Sequence, residues 1–244
     1  MIDWHSHILP GLDDGPAEIG QSLAMVSALS AAGFTDVYCT PHLMRGVFEA
    51  SNEQVRQSVA ELQELSAAAG IKLCLRPSRE YCLDEYLLAY LENPLPLDAD
   101  NSILVEIPPR ITADLVRRLF YDVVRVGFQP VIAHPERCHL LEPTAASRAA
   151  GRGLVATVKS LFPGGKQGGR AHNPCGPTGN QLLDYLRDLG CCFQGNLGSF
   201  SGFYGPHVRA VAETLRAMGV YDRYGSDLHA PEHAARILQV PTSH

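Results

Sequence analysis

The sequence predicts an α/β barrel, and three features of it carry that expectation. Short apolar strand-like runs alternate with helical patterns, the helical patterns stop at glycines, and the strand-like runs keep ending in His, Asp or Glu. Alternation of this kind gives parallel strands joined by crossover helices, and about seven repeats are enough to close a sheet. An open doubly wound sheet shares the alternation but spreads its strand ends along a line. Closure brings them to one rim.

The strand-like runs lie at 2–5, 35–40, 71–77, 102–107, 129–133, 191–196 and 223–227, mostly short β-branched or apolar stretches. The first helix sets Leu23, Val26 and Leu29 at helical spacing and stops at Gly33. The second opens at Ser51, with Gln54 completing a capping-box pattern; it aligns Val55, Val59 and Leu62 and stops at Gly70. Residues 112–126 repeat the theme with Leu115, Leu119, Val123 and Val126 before Gly127, and a later helix starts near Gln181. The stretch 151–178, with Pro163-Gly164-Gly165-Lys166 and Gly168-Gly169-Arg170, reads as a Gly-rich insertion in a single domain over 1–244. It is a flexible surface loop or a basic lid over substrate.

At 244 residues and 45% hydrophobic, the chain suits one soluble enzyme domain with a large core. No apolar run approaches the roughly 20 residues of a membrane span, and residues 1–10 lack a signal-peptide pattern, so a cytoplasmic location is expected. Seven cysteines, two of them adjacent at Cys191 and Cys192, fit reduced thiols better than disulfide staples. The net charge of -6 argues against general nucleic-acid binding. Oligomeric state has no signal in the sequence.

Chemistry concentrates at the strand ends. His5 and His7 follow the first strand, and His42, Glu80, Glu106 and His134 stand at later ones, with Asp227 and His229 at the last. Residues i and i+2 of a strand share a face, so His5/His7 and Asp227/His229 each form a pincer. In Asp13-Asp14-Gly15 one carboxylate serves as turn residue or cap and the other joins the cluster. With Asp14 the candidates number nine, whereas a catalytic ion usually takes about three protein ligands, so two or three ions are expected. Imidazole and carboxylate without thiolate suit zinc, manganese or iron. Three divalent ions would bring six positive charges against four carboxylates, and such a pocket favours a phosphate monoester.

The run MIDWHSHILPGLDDG, TPH at 40–42, Glu80-Tyr81, Glu106, AHPER at 133–137, NLGSFSG at 196–202 and SDLH at 226–229 resemble the polymerase and histidinol phosphatase (PHP) superfamily. Within it, the chain is most similar to the bacterial manganese-dependent tyrosine-protein phosphatases of capsule and exopolysaccharide operons, over residues 1–150 and 178–230. The resemblance implies a distorted seven-stranded TIM-like barrel with a trinuclear site, and a phosphotyrosine substrate on a partner tyrosine kinase. It places the nine residues at the ligand positions and Arg137 against phosphate. Relatives carry a phosphate-holding arginine soon after the last histidine; here Pro231-Glu232-His233 intervenes and Arg236 is the displaced candidate. The chain ends fifteen residues after His229, where the family normally continues through further helix.

The chemistry expected is attack of a metal-activated water on phosphorus, with His229 or Asp14 as proton donor to the tyrosine oxygen. Arg137 clamps phosphate or, beside Glu136, is a plain surface ion-pair partner. A small ester such as histidinol phosphate, another hydrolysable bond, or phosphotyrosine binding without turnover are the other readings. Cys39 to Arg45 matches the Cys-x5-Arg spacing of thiol phosphatases, but Pro41 removes a backbone donor from the phosphate cradle and His42 belongs to the metal pattern.

Overall fold

A computed structural model describes residues 1–144 and 176–238. Strands β1 (Ile2–Ser6), β2 (Asp36–Cys39) and β4 (Cys74–Pro77) form one parallel sheet in the order β1-β2-β4. The second sheet, also parallel, runs β3 (His42–Leu43), β5 (Glu80–Cys82), β6 (Ser102–Glu106), β7 (Gln129–Ala133), β8 (Cys192–Asn196) and β9 (Arg223–Gly225). All seven expected runs contain a strand. Two of those strands, β2 and β4, break and resume as β3 and β5, giving nine described segments in place of seven.

The two breaks lie side by side, and Pro41 has no N–H to continue the ladder. Hydrogen bonds step across them nonetheless, Ser78 N to Cys39 O at 2.9 Å and Glu80 N to Pro41 O at 3.3 Å. The sheet curls so that its last strand returns to its first. Asp227 N donates to His5 O (2.7 Å), His7 N to Leu228 O (3.0 Å) and Ser226 N to Asp3 Oδ1 (2.7 Å). Gly225 permits this approach, because a Cβ there would lie 2.5 Å from the Cβ of His5.

Helices α1 (Ile19–Ala31), α2 (Asn52–Ala68), α3 (Leu87–Tyr90), α4 (Ala113–Arg125), α5 (Gln181–Asp188), α6 (Leu197–Ser201), α7 (Pro206–Ala217) and α8 (Ala234–Ile237) follow the strands. The capping box on α2 is as expected: Ser51 Oγ accepts from Gln54 N and Gln54 Oε1 from Ser51 N. In α4 the buried face is Val116, Leu119, Phe120 and Val123, with Leu115 partly buried against the same core; of the expected residues only Val126 is exposed. One apolar cluster packs α4, α5 and α7 on β5–β8, and a second packs α1 and α2 on β2, β4 and the segment just after β1. Both lie outside the curl, which leaves its carboxyl ends for polar side chains. No helix among the described residues is long and apolar enough to cross a membrane. The insertion expected at 151–178 lies outside the described residues except for 176–178, where Thr178 N donates to Asp184 Oδ1.

Candidate metal centre

All nine strand-end candidates converge. Their ligand-type atoms include three groups, each within 4.8 Å: His7, Asp14, His42 and His229; His5, His7 and Glu80; His42, Glu80 and Glu106. His134 joins through Nε2, 3.2 Å from Glu80 Oε1 and 3.8 Å from Glu106 Oε1. Asp227 joins through Oδ1, 3.4 Å from the Nε2 atoms of His5 and of His7. His134 and Asp227 sit at φ of 30° and 51°. Left-handed backbone at a residue other than glycine costs of order 1–3 kcal/mol and is held only where surrounding structure enforces it. The conformation turns both side chains back into the curl at the ends of β7 and β9.

Hydrogen bonds outside the cluster fix which ring nitrogen faces inward. His5 Nδ1 is 2.8 Å from Gln194 Oε1, His7 Nδ1 is 2.6 Å from Asp13 Oδ2, and His229 Nδ1 is 2.9 Å from Asp227 O. Each of these oxygens is an acceptor, so each Nδ1 carries a proton and, in the neutral ring that a metal ion binds, each Nε2 presents a lone pair, the usual support of a metal-binding histidine. The Nε2 atoms of His5 and His7 are then 2.9 Å apart, both about 3 Å from Glu80 Oε2. His42 Nδ1 is a further 3.1 Å neighbour of that oxygen, which is buried and has no hydrogen-bond donor in reach other than these imidazoles. Converging lone pairs around an orphaned buried carboxylate oxygen fit a divalent cation.

Titration points the same way. Burial works against a charged His5, yet Glu80 and Asp227 outweigh it and raise the ring to about 9. His7 is likewise raised well above its ordinary value against burial, by Asp13 and Glu80. Burial, reinforced by the Glu80 charge, raises Glu106 to about 7. Burial opposes ionisation of Asp13 too, but His7 offsets it and lowers the carboxyl to about 2. Positive charge is what this cluster attracts.

Asp13 and Asp14 divide the roles between them. Asp13 is the turn residue, accepting from Gly15 N, His42 N and His7; Asp14 points outward, 3.4 Å from His229 Nε2 and 3.7 Å from His42 Nε2. Arg137 Nη1 donates to Asp227 Oδ2 at 2.7 Å, and its guanidinium lies 4.5 Å above the Tyr204 ring. Glu136 instead accepts from Asn196 N and Tyr221 Oη, which replaces the surface ion-pair reading of Arg137. Arg236 is exposed and stacks at 4.9 Å over Phe203. Cys39 is fully buried, and burial pushes its thiol far above the ordinary range, so it is no nucleophile.

Sequence reasoning missed Gln194, Asn196 and Tyr204. Asn196 Nδ2 donates to Asp227 Oδ2 at 2.7 Å and Tyr204 Oη donates to the same atom at 3.2 Å. A glutamine inside the apolar run Cys191-Cys192-Phe193 was the available signal for Gln194, since a buried amide needs a partner. Tyr204 has none in the sequence.

The model of the capsular polysaccharide synthesis family CpsB/CapC matches residues 1–171. The chain belongs to this CpsB/CapC family. A relative in Bacillus subtilis, the tyrosine-protein phosphatase YwqE, is 34% identical over 94% of this chain and 77% of its own length. The Streptococcus pneumoniae tyrosine-protein phosphatase CpsB is 27% identical over 58% of this chain, which spans only 59% of that relative. A solved structure from work on YwqE and CpsB, described as unique metal-dependent tyrosine phosphatases, aligns with a TM-score of 0.73 at 26% identity, covering 100% of this chain and 88% of that one.

Proposed function

We propose that this chain is a metal-dependent protein-tyrosine phosphatase, hydrolysing phosphotyrosine on a partner tyrosine kinase of capsule or exopolysaccharide synthesis in the cytoplasm. The observation that carries it is Glu80 Oε2, buried among three imidazole nitrogens with no other hydrogen-bond donor in reach. His5, His7, Asp14, His42, Glu80, Glu106, His134, Asp227 and His229 would hold two or three divalent ions, manganese first, iron or zinc otherwise. In this reading the curled sheet is a distorted seven-stranded barrel, closed between β9 and β1. Bound divalent ions lower the pKa of water from 15.7 to about 7 in favourable sites and offset phosphate charge.

The protein's own groups do the rest. Arg137, a third exposed and already oriented by Asp227 and Tyr204, presents a planar fork to the phosphate oxygens. Tyrosinate, with a parent pKa of about 10, leaves with little help. His229 or Asp14, 3.4 Å apart at the exposed edge, would orient the water that gives its oxygen a proton. Turnover of a phosphotyrosine peptide well above that of histidinol phosphate, lost on chelation, is the expected result. Comparable or faster turnover of histidinol phosphate would move the reading to small esters.

A further inference from the structure

Between β3 and α2 the chain makes a tight turn in which Met44 and Phe48 exchange backbone hydrogen bonds of 2.9 Å around Gly46 at φ 75°. This turn is anchored more firmly than a surface loop requires. Arg79, fully buried on the neighbouring strand break, donates to His42 O at 3.3 Å, to Ala50 O and to Asn52 Oδ1 at 3.2 Å. On the outer side the Arg45 guanidinium stacks 4.2 Å over the Tyr86 ring.

What the turn holds in place is Phe48. Its ring lies 5.7 Å from the His42 imidazole at an interplanar angle of 14°, and His42 belongs to two of the three ligand groups. Phe48 is half-buried, yet it belongs to none of the three hydrophobic clusters among the described residues, and its neighbour Val47 is 60% exposed. A fixed aromatic ring that packs into no core, at the rim of a polar cluster, is surface made for another ring. Arg137 and Tyr204 stand with Asp227, and Phe48 with His42, and both Asp227 and His42 neighbour His7, so the arginine and the phenyl ring border one cluster.

We propose that Phe48 is the surface against which the substrate's tyrosine ring packs, so that the site selects aryl over alkyl phosphate monoesters. This rests on the phosphatase reading and adds to it the residue that reads the leaving group. Offset ring pairs are favourable beyond simple burial, enough for a five- to tenfold effect on binding (order of magnitude). The test compares wild type, Phe48→Ala and Phe48→Tyr as metal-loaded full chains. It measures KM and kcat on a phosphotyrosine peptide, inhibition by inorganic phosphate, and metal content.

Phe48→Ala is expected to raise KM roughly five- to tenfold while kcat, phosphate inhibition and metal content stay within about twofold. Phe48→Tyr restores KM. Should the alanine chain fold poorly, Phe48→Leu keeps an apolar side chain in the turn and gives the same rise. An unchanged KM, or KM and phosphate inhibition weakening together, overturns the role of Phe48. Wild-type protein inert toward the peptide overturns the phosphatase reading itself.

Discussion

The inner and outer halves of the cluster are built differently. His5, His7, Glu80 and Asp227 are buried on or just beyond strands, and His134 is nearly so. Three of these five have side-chain hydrogen-bond partners away from the other ligand candidates: Gln194 for His5, Asp13 for His7, and Asn196, Tyr204 and Arg137 for Asp227. Asp14, His229, Glu106 and His42 form the outer half, with side-chain exposures of 54%, 25%, 23% and 15%. The inner set is positioned by the sheet and cannot relax when one member is lost; the outer set faces the water and substrate it must admit. Damage inside should therefore abolish assembly, and damage outside should weaken it.

Glu80→Gln gives the sharpest test of that contrast. The change is nearly isosteric but removes the charge that three imidazoles face, so metal content and phosphotyrosine turnover should collapse together, turnover by on the order of a thousandfold, about 4 kcal/mol. Elemental analysis beside steady-state kinetics reads both, and full occupancy with lost turnover would assign Glu80 another role. Asp14→Asn, at the exposed edge, should instead weaken metal affinity roughly ten- to a hundredfold and be largely rescued by excess metal. Failure of rescue would place Asp14 with the inner set.

Arg137→Lys comes next and separates substrate from metal. Charge is kept and the fork lost, so metal content should be normal while kcat/KM falls by roughly one to two orders of magnitude, about 1.4–2.7 kcal/mol. Wild-type kinetics from a folded Arg137→Ala chain would remove it from the site.

Much of this arrangement was legible in the sequence, because metal-ligand residues recurring at strand ends is a pattern that periodicity exposes. All seven strand runs and the cap of α2 follow from local chemistry that the chain cannot hide. β3 and β5, two and three residues long, are too short for any period to show. The expected face of α4 fails only at its end, where Val126 extends the apolar pattern past the side that meets the sheet. The division between Asp13 and Asp14, and the arrival of Tyr204 at Asp227, depend on contacts between distant segments and have no local signature.

A smaller effect concerns pH. In metal-free protein Glu106 is raised to about 7 by burial and by Glu80, so below that pH a proton competes for the carboxylate. Metal uptake should weaken as pH falls below about 9, where His5 takes up a proton, and again through 7, and should release protons in that range, which titration calorimetry in buffers of different ionisation enthalpy detects. A proton count of zero with pH-independent affinity would remove Glu106 from the ligand set. The smallest effect expected is that of Cys39→Ser: a buried hydroxyl costs about 1–2 kcal/mol of stability, while turnover in the folded fraction stays within about twofold. A folded, metal-loaded, inactive serine variant would return the thiol mechanism.

The central claim, that phosphotyrosine turnover depends on ions held by the nine-residue cluster, is tested most directly by counting metal per chain while activity is removed with chelator and restored. The expected result is two or three divalent ions per active chain, with turnover of a phosphotyrosine peptide vanishing as they leave and returning, most fully with manganese, as they are replaced. Undiminished turnover from protein carrying only trace metal would contradict it.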